Sequence, residues 1–244
     1  PTRVLRAARF AGRYDFTLQK KTLFWLKQAI RKKALSTISS QRFREEMVTL
    51  LKEENFVSCV SHLAGWSVLN FLSPKIHWTE SQARSTRHKV SKGDWLINLF
   101  LLIKNLSYQE SEEIARRMVL TRKERKIVLT TKKYLPLVLE ALERNYPLEY
   151  IYCFLNLLPE QGLAYLRIVN PHWANLINTF QERKKKTKPA TTGEDLKKLG
   201  YPQGPIYKKI LNRIFLNKLL GRLPSKSKEI EFVLEQYPLK KGRQ

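Results

Sequence analysis

The chain has 244 residues, with 46 Lys and Arg against 21 Asp and Glu, a formal net charge of +25 at pH 7. Apolar residues make up 43% and aromatics 11%, enough to fill a core, which excludes a disordered basic tail. Two cysteines exclude a disulfide scaffold and fit a reducing compartment, and no apolar run approaches the ~20 residues of a membrane span. The first fifteen residues hold four Arg and no apolar stretch, so they do not read as a secretory signal. A first residue of Pro1 rather than Met reads as the start of a processed product or of a fragment.

Apolar residues recur at three and four spacing throughout and β-branched alternation is absent, which predicts an all-α fold. The spacing predicts a helix over about 2–12. A second, over about 20–34, carries Leu23, Leu26 and Ile30 and the basic run Arg31-Lys32-Lys33. A third starts near Ser39-Ser40 and reaches about Lys52, and a fourth covers Glu53–Ala64 with Gly65 as its glycine stop. Pro74 breaks the next apolar stretch, and the polar residues 75–92 read as a loop or a short exposed helix. Gly93–Asn105, with Trp95, Leu96, Leu99, Phe100, Leu102 and Ile103, reads as a helix central to the core.

Two capping boxes follow, Ser107 to Glu110 and Thr121 to Glu124, each placing a hydroxyl three residues before a carboxylate that answers the free amides of a helix start. Pro136, Pro147, Pro159 and Pro171 punctuate the next four helices, with Pro147 and Pro171 suited to a first turn. The charged stretch Glu182–Thr192 reads as a linker. Beyond it come a short helix ending at Gly200, a turn through Pro205, a helix to Leu220 stopped by Gly221, and a last helix near 226–236. Lys240–Gln244 read as frayed, and no repeat period stands out.

The charge is uneven. Residues 1–44 hold twelve bases and one acid, residues 183–244 hold seventeen bases and five acids, and the middle is nearly balanced. Such an excess favours a polyanionic partner, nucleic acid before a membrane surface, because the bases do not lie opposite one continuous apolar face. Any single Lys is as readily a solvated helix face.

Catalytic chemistry is hard to find. The three Asp (Asp15, Asp94, Asp195) are far apart, and no Asp-x-Asp pair exists to hold two metal ions. Cys59-x-x-His62 is half of a zinc site, better read as a buried Cys beside a helix-end His. Neither a Gly-rich phosphate loop nor a Gly-x-Ser-x-Gly elbow occurs. The sequence therefore offers no catalytic residue and no metal ligand set. The most specific constellation is Arg3, Arg6 and Arg9, at i, i+3 and i+6 on one helical flank, an anion site with Leu5, Ala8 and Ala11 as the apolar side.

The opening resembles the end of the nucleotide-selecting motif of bacterial-type (class II) CCA-adding tRNA nucleotidyltransferases and their poly(A) polymerase relatives. That motif reads Glu-Asp-x-x-Arg, often Glu-Asp-Pro-x-Arg-x-Leu-Arg, followed by Arg-Phe-Ala, a Phe and a Thr. Pro1, Arg3, Leu5, Arg6, Arg9, Phe10, Ala11, Phe16 and Thr22 match it, and the motif's Glu-Asp would stand before Pro1. Gln41–Glu46 is similar to the family's neck motif, Arg-x-x-x-Glu, with Arg42 and Glu46 one turn apart. Leu120–Lys126 is similar to part of its helical body. Thr192-Gly193-Glu194-Asp195-Leu196, Leu199-Gly200, Gly204-Pro205, Ile210-Leu211 and Leu220-Gly221 reproduce the pattern of its C-terminal module, departing at Lys208, where many members have a small residue.

The resemblance implies a neck over 1–70, an RNA-binding body over 71–183 and a tail module over 190–238, without the α/β catalytic head. It implies that Arg3, Arg6 and Arg9 line the site reading CTP or ATP, and that Arg42 and Glu46 brace the neck. Candidate RNA contacts are Arg122, Lys123, Arg125 and Lys126 in the body, Lys184, Lys185 and Lys186 at its end, and Lys208, Lys209 and Arg213 in the tail. The implied partner is tRNA, through its acceptor stem and T-arm, in the cytoplasm. CTP and ATP would be the substrates, and Mg²⁺ would belong to the head, upstream or separate, leaving this chain inactive alone. The alternative is a stand-alone helical RNA-binding protein with no transferase role.

Overall fold

The computed structural model describes residues 2–239; Pro1 and the run 240–244 lie outside the described residues. Among the described residues every regular element is helical. Contacts divide the chain into two units, Pro1–Pro136 with Leu158–Pro171, and Leu137–Leu157 with His172–Gln244.

The first unit holds α1 (Thr2–Tyr14), α2 (Lys20–Arg31), α3 (Ser40–Leu51), α4 (Phe56–Gly65), α5 (Leu69–Leu72), α6 (Glu80–Thr86), α7 (Trp95–Leu102) and α8 (Tyr108–Arg117). The part of α9 (Arg122–Glu143) up to Pro136 belongs here as well. So does α11 (Glu160–Val169), which follows α10 (Leu148–Leu155) in the chain. Helix α7 is buried from Leu96 to Leu102 and forms the centre of the core, as its uniformly apolar sequence predicts. Asn98 within it is fully buried and fully satisfied. Its amide donates to the Leu51 carbonyl at 2.8 Å and the Ser91 carbonyl at 3.0 Å, and its oxygen accepts from the Ser91 amide at 2.8 Å. Lys132 closes the end of α7, its ammonium donating to the Ile103 and Lys104 carbonyls at 3.1 Å each.

The second unit holds the rest of α9, α10, α12 (Ala174–Lys186), α13 (Gly193–Lys198), α14 (Pro205–Leu219) and α15 (Lys226–Gln236). Leu196, Tyr201, Ile210, Ile214, Leu223 and Val233 form one small core, and Tyr152 meets Phe180 edge to face at 5.2 Å. The carboxylate of Glu229 is inaccessible to solvent and accepts from the Ala190 and Thr191 amides and from Lys218.

Both expected capping boxes form, Ser107 with Glu110 and Thr121 with Glu124. Within 75–92 the second of the two expected forms is found, a short, largely exposed helix α6 followed by a 3₁₀ turn, started by a Thr79–Gln82 capping box and anchored by buried Ala83 and Thr86. Three expectations need correction. Gly65 is the last helical residue of α4, and Ser67, at φ 62°, takes the left-handed position instead, with the Val68 amide reaching back to the Leu63 carbonyl. Pro136 does not break its helix: it lies inside α9 on an exposed face, while Thr131 and Val138 on either side are buried and hold both halves helical. The stretch 182–192 is not a loose linker, because α12 runs to Lys186 and Glu229 pins the backbone at Ala190 and Thr191.

Candidate nucleic-acid interface

Helix α1 is amphipathic, and Val4, Leu5, Ala8, Ala11 and Gly12 form its buried side. Small residues let it lie very close to α4. A Cβ added at Gly12 would stand 2.5 Å from the Cys59 amide nitrogen and 2.6 Å from its sulfur. Burial first and the Glu53 carboxylate second push the Cys59 thiol up to about 12, so it is an inert packing group. His62 lies against Trp66 with the rings tilted by 34°, and burial lowers its pKa. Among the described residues no three His, Cys, Asp or Glu side chains gather as a metal ion requires.

The opposite face of α1 carries the arginines. Arg3 and Arg6 are exposed. Arg9 is turned inward, its side chain 14% exposed and its guanidinium 3.3 Å from Glu53 of the α3–α4 connection. Arg13 reaches the same carboxylate at 3.7 Å. Two of the three expected anion ligands are thus open, and the third is held by an acid. Glu53 was invisible to spacing arguments, since it lies 44 positions from Arg9.

The expected neck pair does not form. Arg42 is exposed on the first turn of α3, Glu46 is half-buried, and no ion pair joins them. Arg44 does the long-range work: it meets Glu124 at 2.8 Å, donates to the Val119 carbonyl at 3.2 Å, and lies over the Trp95 ring at 5.8 Å. A pair within one helix contributes a few tenths of a kcal/mol, roughly, whereas Arg44 satisfies carbonyls left free at the end of α8 and ties α3 to the start of α9.

Four bases crowd the first turns of α9. Arg122, Lys123, Arg125 and Lys126 are all exposed, and Arg125 pairs with Glu112. A helix N-terminus already carries positive partial charge, so bases there are opposed rather than compensated by their helix. The one acid of that turn, Glu124, is engaged by Arg44. The run at the end of α12 is different. Lys184, Lys185 and Lys186 sit at a helix C-terminus, where cations are favoured, and Lys184 lies over the Phe180 ring at 5.6 Å. In α14, Lys208, Lys209 and Arg213 are exposed, with Lys209 5.9 Å from the Tyr237 ring.

A family model described as "Probable RNA and SrmB- binding site of polymerase A" matches residues 15–78. An A-adding tRNA nucleotidyltransferase of Geobacter sulfurreducens is 22% identical over 96% of this chain and 29% of its own length. The enzyme of the same description from Halalkalibacterium halodurans is 23% identical, over 96% of this chain and 56% of its own. Over nearly its whole length the chain is similar to A-adding tRNA nucleotidyltransferases. It shares its fold with a CCA-adding enzyme solved with CTP, at a TM-score of 0.76 and 24% identity, over 98% of this chain and 60% of that one. The Thermotoga maritima CCA-adding enzyme complexed with tRNA gives 0.72 at 24% identity, over 97% of this chain and 61% of that one. The chain thus spans about a third to three fifths of the length of these relatives. No helix among the described residues is long and apolar enough to cross a membrane.

Proposed function

We propose that this chain is the tRNA-binding and nucleotide-selecting portion of a tRNA nucleotidyltransferase, working in the cytoplasm on the 3′ end of tRNA. The end-to-end similarity to A-adding enzymes carries the reading, since it extends over 96% of the chain. The charge supports it: a net +25 and exposed bases at the start of α9 and on α14 suit a phosphate backbone. The neck, 1–70, would present Arg3 and Arg6 to CTP or ATP, with Arg9 kept beside them by Glu53 and the brace supplied by Arg44. The body, 71–183, and the tail, 190–238, would hold the acceptor stem and T-arm by shape and backbone, because the deep, narrow major groove of A-form RNA hides its bases.

Phosphoryl transfer is assigned no residue here, as the chain holds no suitable carboxylate cluster among its described residues. The test is the salt dependence of tRNA binding by the purified chain and by a variant with Arg122, Lys123 and Lys126 changed to Ala. Affinity should fall steeply with salt, and the slope of log K against log salt should shrink by about one per phosphate-contacting cation removed. An unchanged slope would remove the α9 cluster from the interface.

A further inference from the structure

One exposed feature of α1 is not used by phosphate contacts. Phe10 and Tyr14 lie one turn apart with rings 6.2 Å apart and 15° from parallel. The helix then ends in a left-handed residue, Asp15 at φ 55°, and the Phe16 amide turns back to the Ala11 carbonyl at 3.0 Å. That reversal lays Phe16 against Tyr14 at 5.4 Å and 27°. The result is a column of three near-parallel rings in which the middle ring, Tyr14, is 52% exposed and the end ring, Phe16, is 59% exposed. Guanidiniums flank it: Arg9 at 4.6 Å and Arg6 at 5.9 Å from the Phe10 ring, and Arg13 at 5.4 Å from Tyr14.

Leaving two large rings more than half exposed forgoes their burial, and here the exposed faces are ordered by a helix end rather than scattered. Rings that present π-faces beside cations are the elements of single-strand recognition, in which bases stack on aromatics and phosphates meet guanidiniums. Paired bases have no free face to offer.

We propose that Phe10, Tyr14 and Phe16 form a stacking platform for unpaired nucleobases of an RNA strand. Phe16 provides the open end of the column, and Arg13 takes the adjoining phosphate. The proposal rests on the RNA-binding reading and adds to it a site for the unpaired part of the RNA, distinct from the bases of α9 and α14 that suit duplex backbone.

Affinities are measured for three labelled RNAs: a short oligoadenylate strand, a blunt RNA duplex of the same length, and a tRNA lacking its 3′ CCA. The proteins are the wild type, Tyr14→Ala/Phe16→Ala, and Phe16→Trp. Both side chains are exposed, so the double variant should keep its far-ultraviolet circular dichroism. Its affinity for the strand should drop roughly 5- to 150-fold for each stacked base lost, while its affinity for the duplex stays within about twofold. Phe16→Trp should retain strand binding. Equal losses on strand and duplex, or none on the strand, would overturn the platform. Wild type that binds tRNA but not the strand would overturn the platform alone, and wild type that binds none of the three would overturn the RNA-binding reading with it.

Discussion

Gly12 and Glu53 together set the arginine face of α1. At Gly12 the neighbouring atoms are the backbone nitrogen and Cα of Cys59, at 2.5 and 2.7 Å from an added Cβ, and backbone yields little. Gly12→Ala should therefore lower stability by about 1–3 kcal/mol in urea unfolding despite the better helix propensity of Ala. No loss would mean that α1 and α4 are not so close. Lys132 gives a pH signature. Burial pushes its ammonium down to about 8 from an ordinary 10.5. Between those values the unfolded chain holds a proton that the folded chain has shed, so this group makes stability rise as pH goes from 8 to 10.5. Lys132→Met should remove that rise from the wild-type stability profile, and identical profiles would contradict the burial. Periodicity alone was sufficient to place Arg3 and Arg6 on an outer flank. It could not find Glu53 or Arg44, because their partners lie 44 and 80 positions away and meet them only through tertiary packing.

At the scale of elements, local chemistry was the most legible. The capping boxes at Ser107 and Thr121 and the glycine stop at Gly221, φ 78°, involve residues within a few positions of each other. Helix α13 begins with another such box, Thr192 with Asp195, and Lys226 at the start of α15 meets that carboxylate at 2.8 Å. Lys226 first, then the Thr192 amide and hydroxyl, hold Asp195 down to about 2, below the ordinary 3.8. A depressed carboxylate stabilises the fold fully above its unfolded value. Its contribution should be lost as pH falls from 3.8 through about 2, with Asp195→Asn lacking that acid-limb slope in thermal unfolding. A variant with the wild-type slope would contradict the cap. Less legible was 182–192, which charged composition marks as a linker. Its order comes from the distant Glu229, which composition does not register.

For the whole molecule, the all-helical fold followed from periodicity, and the family resemblance from motifs in the neck and tail. The charge pattern pointed to a polyanion without saying which one. Its two ends carry most of the excess, seventeen bases beyond residue 182 and twelve before residue 45. Generic basic proteins bind any duplex, so the claim of a tRNA-binding portion requires discrimination by shape. The most direct measurement is competition, at two salt concentrations, among a tRNA lacking CCA, its acceptor–T-arm minihelix and a plain duplex of equal length. Tight binding shared by tRNA and minihelix, with the duplex weaker and the preference surviving higher salt, is the predicted result. Equal and equally salt-sensitive binding to all three would contradict the tRNA role and leave a general polyanion binder.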